Sequence, residues 1–212
     1  MKLYMFEHCY LCFRVRMTAA LARKHLEEVV VREDDTDTMV ALVGQRVVPI
    51  LVDDDGQPML ESMDIVRYID QLGERVLTGQ ERPEIGVWSE QIAPKAAPLT
   101  QSRYPLLDLP EFASAAARAH YHARKRNTLG DLDQLLAATN RYIGDLTPDL
   151  QQIERMVQSP RAINGALSLD DVRVLPVLRS LAVVKELRFP ERLRNYFETM
   201  MVLIGARPLP AV

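Results

Sequence analysis

The only two cysteines of the chain stand three residues apart near its start, Cys9-Tyr10-Leu11-Cys12, just after a short apolar run, Leu3-Tyr4-Met5-Phe6. The pattern predicts a strand over residues 2–6 followed by a helix over residues 11–24, with Phe13, Met17, Ala20 and Leu21 on its apolar side. Thiols on the first turn of a helix face free N–H groups and the positive end of the helix dipole, which favours the thiolate of the first and leaves the second within disulfide reach. In a βαβ context such a pair is a thioredoxin-like redox motif. Two plainer readings compete: incidental buried cysteines, or a zinc site. Zinc needs four convergent ligands, and the chain has no second cysteine pair.

Composition narrows the class. The 212 residues suffice for one large or two modest domains, and 48% hydrophobic against 26% charged residues is ordinary for a globular protein. A net charge of −3 gives no global attraction to nucleic acid or to an anionic membrane. No apolar run approaches the ~20 residues of a membrane span. Glu7, Arg14 and Arg16 interrupt any signal-peptide core. Two cysteines do not make a disulfide scaffold for a chain this long, so a reducing, cytoplasmic setting is expected.

Beyond the first helix, valine-rich residues 28–31 predict a second strand, and acidic residues 33–37 lead to a short helix ended by Gly44. A third strand is expected over residues 47–52, with Asp55-Gly56 as a hairpin turn and Met59-Leu60 in the returning strand. Ser62 is expected to cap a helix that runs to Leu72. Gly73, Gly79 and Pro83 mark residues 73–84 as a linker, after which strand signals fade. Helical patterns cover residues 110–126, 147–157, 168–187 and 190–204, while Pro94 and Pro98 should break or kink a further helix around Trp88. Ser168 and Asp171 have capping-box spacing, flanked by Leu167 and Val172 as a hydrophobic staple. His120 and His122 point apart on a helix and read as solvated. Asp53-Asp54-Asp55-Gly56 lacks the ligand spacing of a calcium loop and reads as a turn. Trp88, Met200 and Met201 read as packing residues. The expected architecture is an α/β thioredoxin-like domain over residues 1–72, a linker over 73–84 and an all-α domain over 85–212.

The segments Met1-Lys2-Leu3-Tyr4, His8-Cys9-x-x-Cys12, Arg16-Met17, Val43-Gly44-Gln45, Val48-Pro49-Ile50-Leu51 and Glu61-Ser62-Met63-Asp64-Ile65-Val66 go together. With Leu77-Thr78-Gly79, Asn164-Gly165 and Asp170-Asp171 they make a chain that resembles, over nearly its whole length, the glutaredoxin 2 family. These are bacterial glutaredoxins built like glutathione transferases. The resemblance implies a glutathione-dependent thiol–disulfide oxidoreductase with glutathione as co-substrate and no metal. Cys9 would attack glutathione mixed disulfides or protein disulfides, and Cys12 would resolve the latter. Val48-Pro49 would be a cis-proline segment whose Val48 backbone pairs with the cysteinyl part of glutathione. Glu61 and Ser62 would hold the γ-glutamyl end, and Gln45 and Arg46 lie where a donor to the glycine carboxylate could come from. The family's members imply a monomer whose partners are glutathionylated or disulfide-bonded proteins.

One departure stands out: the family usually carries Pro-Tyr between the cysteines, and this chain carries Tyr10-Leu11, without the fixed backbone of a proline at the first helical position. Two rival readings remain from the residues themselves. One is a non-catalytic module that holds glutathione or a partner protein, which would need neither thiol. The other is a glutathione transferase, in which the protein activates glutathione instead of attacking it.

Overall fold

Buried Leu3 and Met5 alternate with half-buried Lys2 and Tyr4, and this period of two makes the opening segment a central strand, β1 (Lys2–Met5). In the computed structural model, which describes residues 1–212, β2 (Glu27–Val30) pairs parallel with β1. On the other side β3 (Ile50–Val52) pairs antiparallel with β1, and β4 (Pro58–Met59) closes a hairpin on β3. The sheet order is β2-β1-β3-β4. The third strand is shorter than the predicted 47–52, because Pro49 has no N–H to give to a ladder and pairing begins only at Ile50. The Val48–Pro49 peptide bond is cis.

The first helix, α1 (Tyr10–Leu21), has two apolar faces instead of the single one expected. Cys12, Val15 and Ala19 pack with Leu3, Met5, Leu51, Ile65 and Ile69 on the sheet side. Phe13 and Met17 turn the other way, into the core of the helical domain. Ala20, placed on the apolar side by the sequence pattern, is exposed. The short α2 (Thr36–Val43) is capped by Asp35 and ends at Gly44, whose φ of 76° is the left-handed conformation glycine tolerates. α3 (Ser62–Gln71) lies against α1. Ser62 is its first helical residue and not its cap; Glu61 occupies the cap position at φ 62° and makes no side-chain capping bond.

The second unit is all helix. α4 (Pro83–Gln101) runs unbroken through Pro94 and Pro98, against expectation. Its buried Ile85, Trp88, Ile92, Ala96 and Leu99 pack against the rest of the helical core, and that burial outweighs the backbone bonds the prolines remove. The indole N–H of Trp88 donates to the Asp149 carbonyl at 2.9 Å. After single 3₁₀ turns at Tyr104–Leu106 and Pro110–Phe112 come α5 (Ala115–Leu129) and α6 (Leu132–Ala137). Then follow α7 (Thr139–Met156), α8 (Leu169–Leu181) and α9 (Glu191–Leu203). The predicted helix over 110–126 is divided because Ser114 caps a fresh start at Ala115. The pattern over 147–157 is only the second half of α7, which carries Pro148 inside it, and α6 has no counterpart in the prediction. Helical residues stop at Leu181, six short of 187. His122 is exposed, but His120 is half-buried with its Nδ1 enclosed, so only one of the two is solvated as expected.

The Ser168–Asp171 capping box is formed, and Asp171 also accepts from the Ile163 N–H at 2.7 Å and the Tyr196 hydroxyl at 2.8 Å. Next to it the two units are joined. The Gly79 N–H donates to the Leu167 carbonyl at 2.7 Å, and the Arg82 backbone and side chain donate to Asp170 and Asn164. From α8, Arg179 donates to the Glu7 carbonyl at 2.9 Å and lies 4.4 Å over the Phe13 ring. These contacts set α4, α5 and α8 opposite the start of α1. No helix is long and apolar enough to cross a membrane.

Candidate active site

Cys9 is the N-cap of α1, with extended backbone (ψ 118°), and its sulfur accepts the Cys12 N–H at 3.4 Å. That geometry gives a thiolate donors where a helix start has them to spare. The Cys12 side chain, hydrogen-bonded to the Cys9 sulfur, contributes most to lowering the Cys9 pKa to about 7; the Cys12 and Leu11 N–H groups and the His8 ring add to it, against burial. Cys12 is fully buried, and burial, with the neighbouring Cys9 thiolate, pushes its thiol well above the ordinary range. Both cysteines are free. One helix turn therefore holds two thiols with opposite tendencies.

The residue before Cys9 anchors an enclosed polar cluster that has no signature in the sequence. The His8 ring is stacked among Phe6, Phe112 and Tyr104, the last with centroids 4.5 Å apart. Its Nδ1 lies 2.7 Å from Glu111 Oε1, which also accepts the His8 backbone N–H at 2.9 Å. Burial alone would raise the Glu111 carboxyl, but the His8 hydrogen bonds and charge outweigh it and hold the pKa below the usual carboxylate range. Glu33, read from sequence as part of an acidic segment, is wholly buried and is gripped by Arg46 and by both 3.2 Å contacts from Arg124 on α5. Four segments distant in sequence thus meet beside Cys9.

In front of Cys9 a cavity of about 300 Å³ opens between the two units. Cys9, Tyr10, Arg46 and Val48 form one wall, and residues of α4, α5 and α8 form the other. Neither the N–H nor the C=O of Val48 has a partner in the chain, which leaves a strand-like edge facing this space. Of the other residues singled out in the sequence, Pro49 is buried behind Val48, and Gln45 is exposed and does not line the cavity. Arg46 lines it, with Nη2 directed to the carbonyl and carboxylate of Glu33. Glu61 and Ser62 lie to one side, reached from the cysteines through Arg14, which sits 5.4 Å over the Tyr10 ring and donates to Ser62 Oγ at 3.4 Å. The Ser62 and Met63 N–H groups have no backbone acceptor. No three His, Cys, Asp or Glu side chains are grouped to hold a metal ion.

The chain is similar to known proteins over nearly its whole length. The family described as Glutaredoxin 2, C terminal domain, matches residues 84–205, and the one described as Glutathione S-transferase, N-terminal domain, matches residues 3–76. Glutaredoxin 2 of Escherichia coli (strain K12) is 37% identical over 201 residues, 94% of each chain. The crystal structure of Glutaredoxin 2 from Salmonella typhimurium in complex with glutathione superimposes with a TM-score of 0.94 at 33% identity, over 98% of this chain and 96% of that one. Gtt2 from Saccharomyces cerevisiae, at 19% identity and a TM-score of 0.65 over 95% of this chain and 96% of its own, shares the fold alone.

Proposed function

Because the chain belongs to the glutaredoxin 2 family, it is a glutathione-dependent thiol–disulfide oxidoreductase, and we propose that Cys9 is its nucleophile and Cys12 its resolving thiol. The observation that carries this assignment is the split between the thiols: Cys9 at the cavity with its pKa drawn down to about 7, Cys12 buried and held protonated. The Cys9 thiolate attacks the glutathione sulfur of a mixed disulfide, forms a Cys9–glutathione disulfide and expels the other thiol as a thiolate that takes up a proton. A second glutathione thiolate then attacks the bound glutathione sulfur, releasing glutathione disulfide and the Cys9 thiolate. With a protein disulfide, Cys9 first joins one protein sulfur and frees the other. Cys12 then loses its proton and attacks Cys9, giving the Cys9–Cys12 disulfide and the reduced protein.

A lowered pKa helps the attack only modestly. Moving a thiol from ~8.5 to ~7 raises its thiolate fraction at pH 7 about 16-fold, but a Brønsted slope near ~0.45 returns roughly fivefold of that in lost nucleophilicity. The larger benefit comes when Cys9 is the leaving group in the second step, since thiols of lower pKa depart faster.

The glutathione carried over from the Salmonella relative would lie along Val48 and Pro49, with its γ-glutamyl end at Glu61, Ser62 and the free N–H groups of the α3 start, and Gln45 and Arg46 toward its glycine carboxylate. Residues 1–72 would supply the chemistry, 73–84 the connection and 85–212 the opposing wall. Protein disulfides as substrates, a monomer and a cytoplasmic location complete the reading, the last because two cysteines make no disulfide scaffold for a chain of 212 residues. The protein's own thiolate at the cavity weighs against a transferase or a passive binding module. Reductase-coupled turnover of a glutathione mixed disulfide, run beside a glutathione conjugation assay, tests this. Cys9→Ser is expected to lose essentially all reductase activity while Cys12→Ser retains it; substantial turnover by Cys9→Ser would overturn the assignment.

A further inference from the structure

Three cations of side chains longer than histidine line the cavity, and they are not equivalent. Arg46 and Arg124 share the one carboxylate of the buried Glu33, so each has an anionic partner although one net positive charge remains on the group. Lys125, next along α5, faces the same space, half-buried, with no carboxylate partner and only the Tyr121 ring beneath its ammonium at 5.5 Å. Near it on the helical wall Gln101 contributes a side-chain oxygen, Oε1, that is enclosed and has no hydrogen-bond partner. The surface between is made small by Ala93, Ala96 and Ala97 of α4. The unpaired cation and the floor of methyl groups are complementary to a small ligand with an anionic group, and the unmet acceptor to a hydrogen-bond donor on the same ligand. The whole cavity is about 300 Å³, and glutathione along Val48 would take part of it, so the space left at the helical wall suits a cysteine-sized group better than a protein loop.

Resting on the reading of Cys9 as the attacking thiol, we propose that the helical side of this cavity receives the half of the disulfide that is not glutathione, and that Lys125 selects there for a small thiol bearing a carboxylate. The stereochemistry of exchange agrees with a place on this side. Cys9 approaches the glutathione sulfur in line with the bond being broken, so the departing sulfur is on the far side of that atom from Cys9. With glutathione held along Val48, the departing group is directed to the helical wall. The Cys9–sulfur bond forms as the old S–S bond breaks, the departing sulfur keeps the electron pair, and it is protonated from solvent. A carboxylate on that group is drawn to Lys125 in a partly enclosed space, where an ion pair is screened less than on the open surface.

The test uses the full chain and three glutathione mixed disulfides, with 3-mercaptopropionate (anionic), 2-mercaptoethanol (uncharged) and cysteamine (cationic). These thiols differ in leaving ability, so the readout is the change in the ratio of kcat/KM between substrates when Lys125 is replaced. Lys125→Gln is expected to lower the anionic-to-uncharged ratio about fivefold, the scale of one partly shielded ion pair, and to raise the cationic-to-uncharged ratio. Lys125→Arg should keep the wild-type ratios. Arg126→Gln removes the same charge one residue on, from an exposed side chain that pairs with Asp131, and should also keep them. The wild-type anionic-to-uncharged ratio should fall as pH rises through about 8, where Lys125 loses its proton; burial, and then the charge of Arg124, lower that group, with Glu33, Arg46 and Cys9 also facing it. Cys9 titrates alike for both substrates and cancels. Ratios unmoved by Lys125→Gln would overturn the subsite while leaving Cys9 as nucleophile. No turnover of any of the three by wild type would overturn both.

Discussion

At the start of α1 a hydrogen bond from the Cys12 side chain is the largest influence lowering the Cys9 pKa, and the same pairing raises that of Cys12. A thiolate gains from every donor it accepts, and a buried thiol resists ionisation when no donor compensates the lost water. The rate of Cys9 alkylation by iodoacetamide is therefore expected to rise with pH around a midpoint near 7 and then level off. In Cys12→Ala the largest stabilising contact is gone, so the thiolate is less favoured and the midpoint should move up; an unmoved midpoint would show that the N–H groups suffice. The proposed glutathione contacts make a separate prediction. Ser62→Ala or Glu61→Ala should weaken glutathione use by about 1–3 kcal/mol, the scale of a charge-assisted hydrogen bond. Thermal stability should fall less, because Glu61 is exposed and caps nothing. Steady-state kinetics with varied glutathione, beside melting curves, decide this; unchanged kinetics in both variants would remove the pair from the site.

At the scale of the element, α1 begins at Tyr10, where the family resemblance leads one to expect proline. Tyr10 is the first helical residue and its N–H has no acceptor, so a proline there would remove nothing the helix uses. Cys9 before it has φ −73° and ψ 118°, within the extended region that a following proline requires. Tyr10→Pro is therefore expected to fold with a melting temperature close to that of the parent. Its Cys9–Cys12 reduction potential against a glutathione buffer should shift, since the altered residue lies within the ring the two sulfurs close. Turnover that needs only Cys9 and glutathione should change less. An unfolded variant would contradict the helix start seen here, and an unchanged potential would make Tyr10 a neutral replacement. α4 teaches the complementary lesson: two prolines that would break an exposed helix are tolerated in one whose apolar side is sealed by its neighbours.

For the whole molecule, the decisive property is that the two units share a core. Phe13 and Met17 of α1 and Val66 of α3 belong to the same cluster of 34 buried residues as the helical domain. Unfolding monitored by heat or denaturant is accordingly expected to be one transition and not two. The joint has a point where nothing larger than hydrogen fits. A Cβ at Gly79 would lie 2.4 Å from the Ala166 backbone oxygen, so the linker or α8's leading loop would have to move. Gly79→Ala should destabilise the chain by about 1–3 kcal/mol, the usual range for overpacking. Because the Gly79–Leu167 contact helps hold the helical wall opposite Cys9, it should also lower turnover. A melting curve identical to the parent would show that the joint yields without cost.

Features that depend on near neighbours were legible in the residues alone. The strand-to-helix turn with its two thiols, the left-handed stop at Gly44, and the Ser168–Asp171 box each need only a few consecutive residues of the right chemistry, and each is present. Helical patterns and the fading of strand signals extended that reading to the helical domain as a class. Tertiary structure alone decided the burial of Glu33, the two-faced packing of α1, the survival of α4 through its prolines, and the company kept by Cys9. His8 and Glu111 are 103 positions apart, and Glu33 and Arg124 are 91. Such pairs share no periodicity or spacing. Their acidic and basic residues look in sequence like any solvated surface, and only the closing of one unit on the other removes the water and makes them partners.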